Sequence, residues 1–551
     1  MSRVIVLGFD AAEPELVNRW VSQGHLPNFA RLQREGAGGR LASTVLPLSP
    51  VAWSTAITGM NPGNHGVYDW HERDPQTYHQ RMVSASSIKA KTLWQRANDA
   101  GLTCGVMNVP LTYPPRPLDG WLISGILTPP SAAAFTFPTD LRAELEAACG
   151  KYRVFFGATY REGEERAYLD SMHDTIEQRR KTLLHLMQTH PTDLLFAVFM
   201  ESDHVMHDFW KYMDPAHPSH RPGYRQFEHA IRDIYRHLDD VLGDVLSAID
   251  DDSTLFVLSD HGSGPYHGHV FVNKYLIQNG LLALRRGMAT RLKLWLAKHK
   301  TPERIYGFLR SLGIDLRPLV PKSIRQKVVA SGIGSSDIDW RHTQAYGCGD
   351  YGQIAVNLAG REGQGSVDPR DREAVVEQVC TLLENMVDEE GDPLVAQIWR
   401  AENLYHGAYV HEAPDVLFTM RDYLYQSSLD PGLHVPGLVE TARFSRGETS
   451  GSHRPYGILY ALGPGVRPGT TVDEMDLSQL TPTALYSLGL PVPNQLDGQV
   501  IAALFEPEHL QAHPIRYVDE EASETAPPES AYTEEDTALI EERLRNLGYL
   551  E

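Results

Sequence analysis

The stretch DLLFAVFMESDHVMHDFW, residues 193–210, decides the fold. Its first half is an apolar run rich in branched and aromatic side chains, which predicts a fully buried strand. The run ends in Asp203, and His207 follows four residues later, a spacing that puts both side chains on one face of a helical turn. Two other runs repeat the design. VIVLGFD (4–10) ends in Asp10, and STLFVLSD (253–260) ends in Asp260 with His261 beside it. Between residues 203 and 253, Phe227, Ile231, Ile234, Leu238, Val241, Val245 and Ile249 recur at steps of three or four, the apolar stripe of a helix. Strand, helix, strand predicts an α/β protein with a central, mostly parallel sheet between helices and right-handed crossovers. Such sheets hold ligands beyond the carboxyl ends of their strands, where all three aspartates fall.

The rest of the chain narrows the function classes. With 551 residues, a 42% hydrophobic and a 22% charged fraction, it reads as a soluble globular protein with one large elaborated domain or a few smaller ones. A net charge of −21 argues against bulk binding of nucleic-acid polymers, though not against a local basic patch. Cys104, Cys149, Cys348 and Cys380 are far apart and form no CxxC pair, so they read as free thiols of a reducing compartment. The opening MSRVIVLGFD is too short for a signal peptide, and no apolar run reaches about 18 residues. The expectation is a cytoplasmic enzyme, with peripheral contact at the inner membrane face as a further reading.

Residues 1–273 form the first part of the expected core and 346–515 the second, with QIAVNLAGRE (353–362) as an edge hairpin. Residues 274–345 interrupt them as a helical cap. From Arg285 to Lys327 this cap carries twelve Lys or Arg against two acids, Glu303 and Asp315. Three readings of 285–327 stand side by side: a solvated helical face, recruitment of an anionic substrate, and docking on an anionic membrane through Trp295 and its neighbouring leucines. Residues 516–551 read as an acidic tail with a short terminal helix, DTALIEERLRNLGYL.

Chemistry gathers at the acids and histidines. His453 lies in the glycine-flanked loop GSHRPYG (451–457). Asp10, Asp203, Asp260, His207, His261 and His453 form a carboxylate and imidazole set that suits zinc or manganese, and six such ligands suffice for two ions with open positions. A lone Asp at a strand end is more often a cap or turn residue; three such strands, two with a nearby His, favour the metal reading. A nucleophile candidate is Ser49, followed by Pro50, which predicts a helix running from Pro50 to about Ile57 with Ser49 as its cap. The same geometry gives Ser49 free backbone N–H groups and a favourable dipole for an anion. Thr44, Ser54, Thr55 and Thr58 are nearby alternatives that the helix would bury or turn away.

Taken in order, GFD (8–10), SPVAWSTAITGMNPGNHG (49–66), DHVMH (203–207), SDHG (259–262) and GSHRPYG (451–457) resemble the alkaline phosphatase superfamily, and within it the type I phosphodiesterase/nucleotide pyrophosphatase branch. DLSQLTPTALYSLGLPVPNQLDG (476–498) resembles that family's closing segment. The resemblance implies that Asp10, Ser49, Asp260 and His261 hold one metal and Asp203, His207 and His453 the other, zinc first and manganese second. It implies that Ser49 attacks phosphorus and forms a covalent phosphoryl or nucleotidyl enzyme, with two cations roughly 4 Å apart clamping the entering and leaving oxygens. The expected substrate is a small phosphodiester or pyrophosphate. A phosphomonoesterase, a phosphoglycerate-mutase-like phosphotransferase, or a non-catalytic member binding a membrane surface or a partner are the alternatives. The sequence departs from the family in HGVYDWHERD (65–74), which lacks the Asn that holds a phosphoryl oxygen; Asn108, Asn61 or the Ser49 amide is expected to substitute. Arg454 and His267 are further candidates for substrate contact, the arginine for a phosphate. The sulfatase pattern is absent, because Ser49-Pro50-Val51-Ala52-Trp53 lacks its Arg and spacing.

Overall fold

The structure, a computed structural model, describes residues 3–155, 157–220, 222–288, 290, 293, 334–433, 435–441, 449–473, 475–520 and 531–550. The three acid-ended runs lie side by side. Strand β1 (Val4–Phe9) pairs in parallel with both β2 (Leu194–Phe199) and β3 (Thr254–Leu258), with Gly8 opposite Val198 on one side and Leu258 on the other. Every residue of the three strands is buried, which explains why their sequences run apolar instead of alternating. Because the strands are in register, their carboxyl ends finish at one level.

The central sheet continues on the β2 side through strands Cys104–Met107, Gly120–Ile123 and Thr136–Phe137. On the β3 side Tyr456–Leu462 inserts antiparallel, followed by Ala37–Ala42 and the short strands Thr470–Thr471 and Met475–Asp476. Helices flank it. One of them, Ala230–Ala248, buries Ile231, Ile234, Leu238, Val241 and Val245 as the stripe predicts.

Residues 345–441 depart from the expected organisation. They do not continue the central sheet but build a second one with Gly268–Phe271, in the order Ala345–Gly349, Gln353–Val356, Val416–Met420, Tyr425–Ser428, Gly268–Phe271, Val439–Thr441. Ala345–Gly349 and Gln353–Val356 do form an antiparallel hairpin. This sheet has its own core, where Ile354, Val356 and Phe418 meet Val376, Val379 and Leu383 of the helix Arg372–Glu384. The second part of the central core therefore starts only near Gly451. The bulk of the basic cap, 294–333, lies outside the described residues. No helix among the described residues is long and apolar enough to cross a membrane.

The terminal helix exists and docks on the central core. Its start is set by a capping box, in which Thr533 Oγ1 accepts from the Asp536 amide and Asp536 accepts from the Thr533 amide. It spans Glu534–Asn546 and buries Ile540 and Leu544.

Candidate metal centre

Each element delivers its side chain for a local reason. Asp10 follows β1 directly, and its Oδ2 accepts a 2.7 Å hydrogen bond from the indole N–H of Trp53. Gly8 makes room for that indole, since a Cβ there would lie 2.5 Å from it. Helix α1 (Ser49–Thr58) carries Ser49 at its first position. The cap is Leu48, in an extended conformation, and not Ser49 as the sequence suggested. Ser49 thus lies inside the helix with Pro50 behind it in the first turn, and its hydroxyl makes no cap hydrogen bond but lies 3.2 Å from His261 Nε2. Gly59 ends α1 at a φ of 71°. Thr55 and Thr58 donate to the carbonyls four residues back, and Thr44 donates to the Leu46 carbonyl.

Asp203 and His207 project from helix α2 (Glu201–Met213), so β2 ends at Phe199, and Asp203 belongs to the helix and not to the strand. His453 arrives from 246 residues further on. Strand β4 (Gly451–Arg454) pairs antiparallel with Gly262–Pro265, placing His453 opposite Ser263 and next to the SDHG turn.

These side chains form two adjacent, fully buried triads, Asp10–Asp260–His261 and Asp203–His207–His453. The His261 and His453 rings stack at 3.9 Å and join them. In the second triad His207 Nε2 and His453 Nε2 are 3.2 Å apart, and each is 3.4 Å from Asp203 Oδ1. In the first, His261 Nε2 is 3.3 Å from Asp260 Oδ2 and 3.6 Å from Asp10 Oδ1. Donors about 2.0–2.2 Å from a tetrahedral cation lie roughly 3.3–3.6 Å from one another.

The hydrogen bonds turn every donor inward. Nδ1 of His207 donates to the Gly451 carbonyl, Nδ1 of His453 to Pro47 and Nδ1 of His261 to Gly262, at 2.9, 2.6 and 3.0 Å. A carbonyl only accepts, so each ring carries its proton on Nδ1 and presents a lone pair at Nε2. Asp10 Oδ1, Asp203 Oδ1 and Asp260 Oδ2 are buried with no hydrogen-bond partner among the described residues. An orphaned buried polar atom costs about 1–3 kcal/mol. Lone pairs and orphaned oxygens facing one another at these distances fit a pair of divalent cations.

Burial, together with repulsion from the neighbouring carboxylates, pushes Asp10 and Asp260 well above the usual carboxylate range. Burial also acts on Asp203, but His207 and His453 hold its pKa well below that range. Burial depresses His261 and His453, whereas His207, also buried, is raised by Asp203. Three carboxyl groups in one dry pocket are mutually destabilising unless positive charge sits between them.

The three residues expected to touch substrate do not join this cluster. Arg454 alternates with His453 along β4 and so points to the other face, where its guanidinium donates to the carbonyls of Tyr423, His453 and Pro265. His267 packs edge-on against His217 and Tyr425. Asn108, at a φ of 58°, accepts from the Tyr152 hydroxyl at 2.6 Å through its side-chain oxygen, and its backbone N–H donates to the Ile123 carbonyl. Asn61 is held by Asp497 and His406.

Sequence reasoning missed other contributors. Trp53, which anchors Asp10, lay inside a quoted motif. Ser202 Oγ donates to the Asp10 carbonyl at 2.5 Å, and Ser259 Oγ donates to the His261 carbonyl. Tyr351 stacks on His453 at 5.5 Å. Tyr549, near the end of the chain, donates its phenolic O–H to Asp203 Oδ2.

A family model described as type I phosphodiesterase / nucleotide pyrophosphatase matches residues 4–431, a span that ends before His453. No curated protein matches the chain in sequence. Among solved structures, phosphonoacetate hydrolase from Sinorhizobium meliloti 1021, in complex with phosphonoformate, aligns over 88% of this chain and 95% of its own, with a TM-score of 0.51 at 12% identity. Murine ectonucleotide pyrophosphatase / phosphodiesterase 5, in an inactive form with AMP, aligns over 92% and 100%, with a TM-score of 0.48 at 14% identity. The likeness to the phosphonoacetate hydrolase is one of fold.

Proposed function

From the premise that this chain belongs to the type I phosphodiesterase / nucleotide pyrophosphatase family, and is thus a hydrolase of phosphoester bonds, we propose that it cleaves a small phosphodiester or pyrophosphate through a covalent Ser49 intermediate. The observation that carries the reading is the inward-facing donor set: three Nε2 lone pairs and three carboxylate oxygens with no hydrogen-bond partner among the described residues, with a buried serine hydroxyl 3.2 Å from one of those nitrogens. Asp10, Asp260, His261 and Ser49 would hold one divalent cation and Asp203, His207 and His453 a second, with zinc as the first candidate and manganese as the next. Bound there, the cations would supply Lewis acidity, favouring the ionised Ser49 hydroxyl and a charged leaving oxygen.

The chain's own groups do the rest. Ser49 Oγ, its proton given up to water, attacks phosphorus in line, the bond from phosphorus to the leaving oxygen breaks, and the leaving group departs as an alkoxide or phosphate that takes a proton back from water. Water then attacks the seryl ester, releasing the phosphoryl product and returning the serine hydroxyl. The Ser49 amide has no carbonyl partner among the described residues, while the Val51 and Ala52 amides are taken by Leu48. That amide, at the positive end of α1, would hold a non-bridging oxygen in the role expected of the missing Asn.

A diester is preferred over a monoester because Arg454, the arginine expected to meet a phosphate, is committed to three carbonyls. The test compares bis-p-nitrophenyl phosphate with p-nitrophenyl phosphate in the presence of Zn2+ or Mn2+. Faster turnover of the diester, with a seryl adduct at Ser49 trapped by mass spectrometry, is the expected result. Faster monoester turnover, or an adduct elsewhere, overturns the reading.

A further inference from the structure

The segment 531–550 packs Tyr549 against the site just described. All seven candidate ligand side chains, Ser49 included, are fully buried, so no phosphate ester reaches them in this conformation. On the side of the second triad the closing group comes from the tail. The Tyr549 ring lies 5.2 Å from His207 and 4.8 Å from Trp70, and its hydroxyl takes Asp203 Oδ2. A cleft of about 370 Å³, lined by His269, Gln426, Thr449, Gly548 and Tyr549 among others, runs in from the surface to this ring. Thr449, one of its lining residues, has Oγ1 3.1 Å from His207 Nδ1.

The approach of the tail is specific. After the terminal helix, Gly548 turns the chain at a φ of 84°. A Cβ at Gly548 would come within 3.1 Å of Thr449 and 3.3 Å of His207 Nδ1, so glycine meets both the conformational and the spatial demand. The rest of the docking surface mixes apolar and polar contacts: Ile540, Leu544 and Leu547 are buried, Tyr532 stacks on Tyr113 and donates to the Val83 carbonyl, Asp536 accepts from Ser131, Arg543 lies over the Phe155 ring, and Glu541 faces His71 at 3.6 Å. A short segment packed on the outside of the core opens more readily than the sheet beneath it.

We propose that residues 531–550 are an intramolecular plug, in which Tyr549 occupies the substrate side of the Asp203–His207–His453 triad and must withdraw before an ester can reach Ser49. The inference rests on the phosphoesterase reading for what the plug excludes, and on geometry alone for the plug itself. Withdrawal would join the cleft to the second triad and leave the ligands in place. The apparent kcat/KM then scales with the fraction of molecules whose tail is undocked.

The experiment compares the full chain with three variants: deletion of 531–551, Tyr549→Ala, and Gly548→Val, which removes no group that touches a carboxylate. Two readouts are taken on protein whose thermal melt shows it folded. The first, on metal-free protein, is the rate at which diethyl pyrocarbonate modifies His207 and His453, followed by mass spectrometry. The second is kcat/KM for bis-p-nitrophenyl phosphate with Zn2+. Both are expected to rise at least about tenfold in every variant that folds. Modification of His207 and His453 as fast in the full chain as in the variants overturns the proposal. So does a fall in kcat/KM in the variants, which would make Tyr549 a contributor to turnover. Faster modification with no ester hydrolysis by any form retains the plug and rejects the phosphoesterase reading.

Discussion

The two triads are built from different parts of the molecule. Asp10 and Asp260 stand at the ends of β1 and β3, paired in register, and Ser49 is fixed by a helix whose tryptophan reaches back to Asp10. The second triad is assembled from a helix, a strand of a two-stranded sheet and, against Asp203, the segment that carries Tyr549. The first is thus held by the least deformable part of the fold and is the natural seat for a nucleophile. The second sits where the structure can open and is the natural side for substrate arrival and leaving-group departure. Their donor chemistry differs in the same sense: two carboxylates, a hydroxyl and one imidazole against one carboxylate and two imidazoles.

Breaking the nucleophile should separate the two sides most sharply. Ser49→Ala is expected to lower kcat for a diester by at least about 10³-fold while both cations stay bound, measured by steady-state kinetics and metal analysis of the same sample. Near-normal turnover would place the nucleophile elsewhere. Next come the ligands. Asp260→Asn and His453→Ala should each cost one of the two ions, with an affinity loss at that site of about 10²-fold or more by calorimetric titration, and the other site is expected to remain filled. Loss of both ions from either variant would show that the triads do not act as separate sites.

A smaller effect is expected one shell further out. Trp53→Phe removes the N–H that orients Asp10 and should weaken metal binding at the first triad by about 10-fold, leaving the second unchanged. The smallest concerns Glu13, whose carboxylate accepts from the Ser263 amide at 2.9 Å and whose pKa is pushed up to about 7 by burial. A carboxyl raised in the folded state contributes stability when protonated, and that contribution is lost as pH rises from 4.5 through about 7. Glu13→Gln should therefore raise Tm at pH 8, on the order of 1 °C, and by less at pH 5. An equal change at both pH values would contradict the assignment.

The parts of this arrangement that were legible in the sequence are those where burial and chemistry share one local signal. β1, β2 and β3 are buried on both faces, so their runs are apolar throughout, and each leads into an acid. Ser49 announced itself through Pro50, although the helix starts one residue earlier than that pair suggests, with Leu48 as its cap. The second sheet was not separable from the first: AYGCG and QIAV are too short to say which sheet they join, and the choice is made by long-range pairing with Val416–Met420 and its neighbours. Arg454 was misjudged because proximity to His453 in sequence means opposite faces in a strand. Tyr549 carried no signal at all, since a single tyrosine after a Leu-Gly pair shows neither period nor motif, and its place beside Asp203 is set by docking across 346 residues.

The most direct test of the paired-cation account is a crystal structure of the zinc-loaded protein, read by anomalous scattering at the zinc edge. Two peaks are expected, one within reach of Asp10, Asp260, His261 and Ser49 Oγ and the other within reach of Asp203, His207 and His453. A single peak shared by all six ligands, or peaks only at surface histidines with both triads empty, would contradict it.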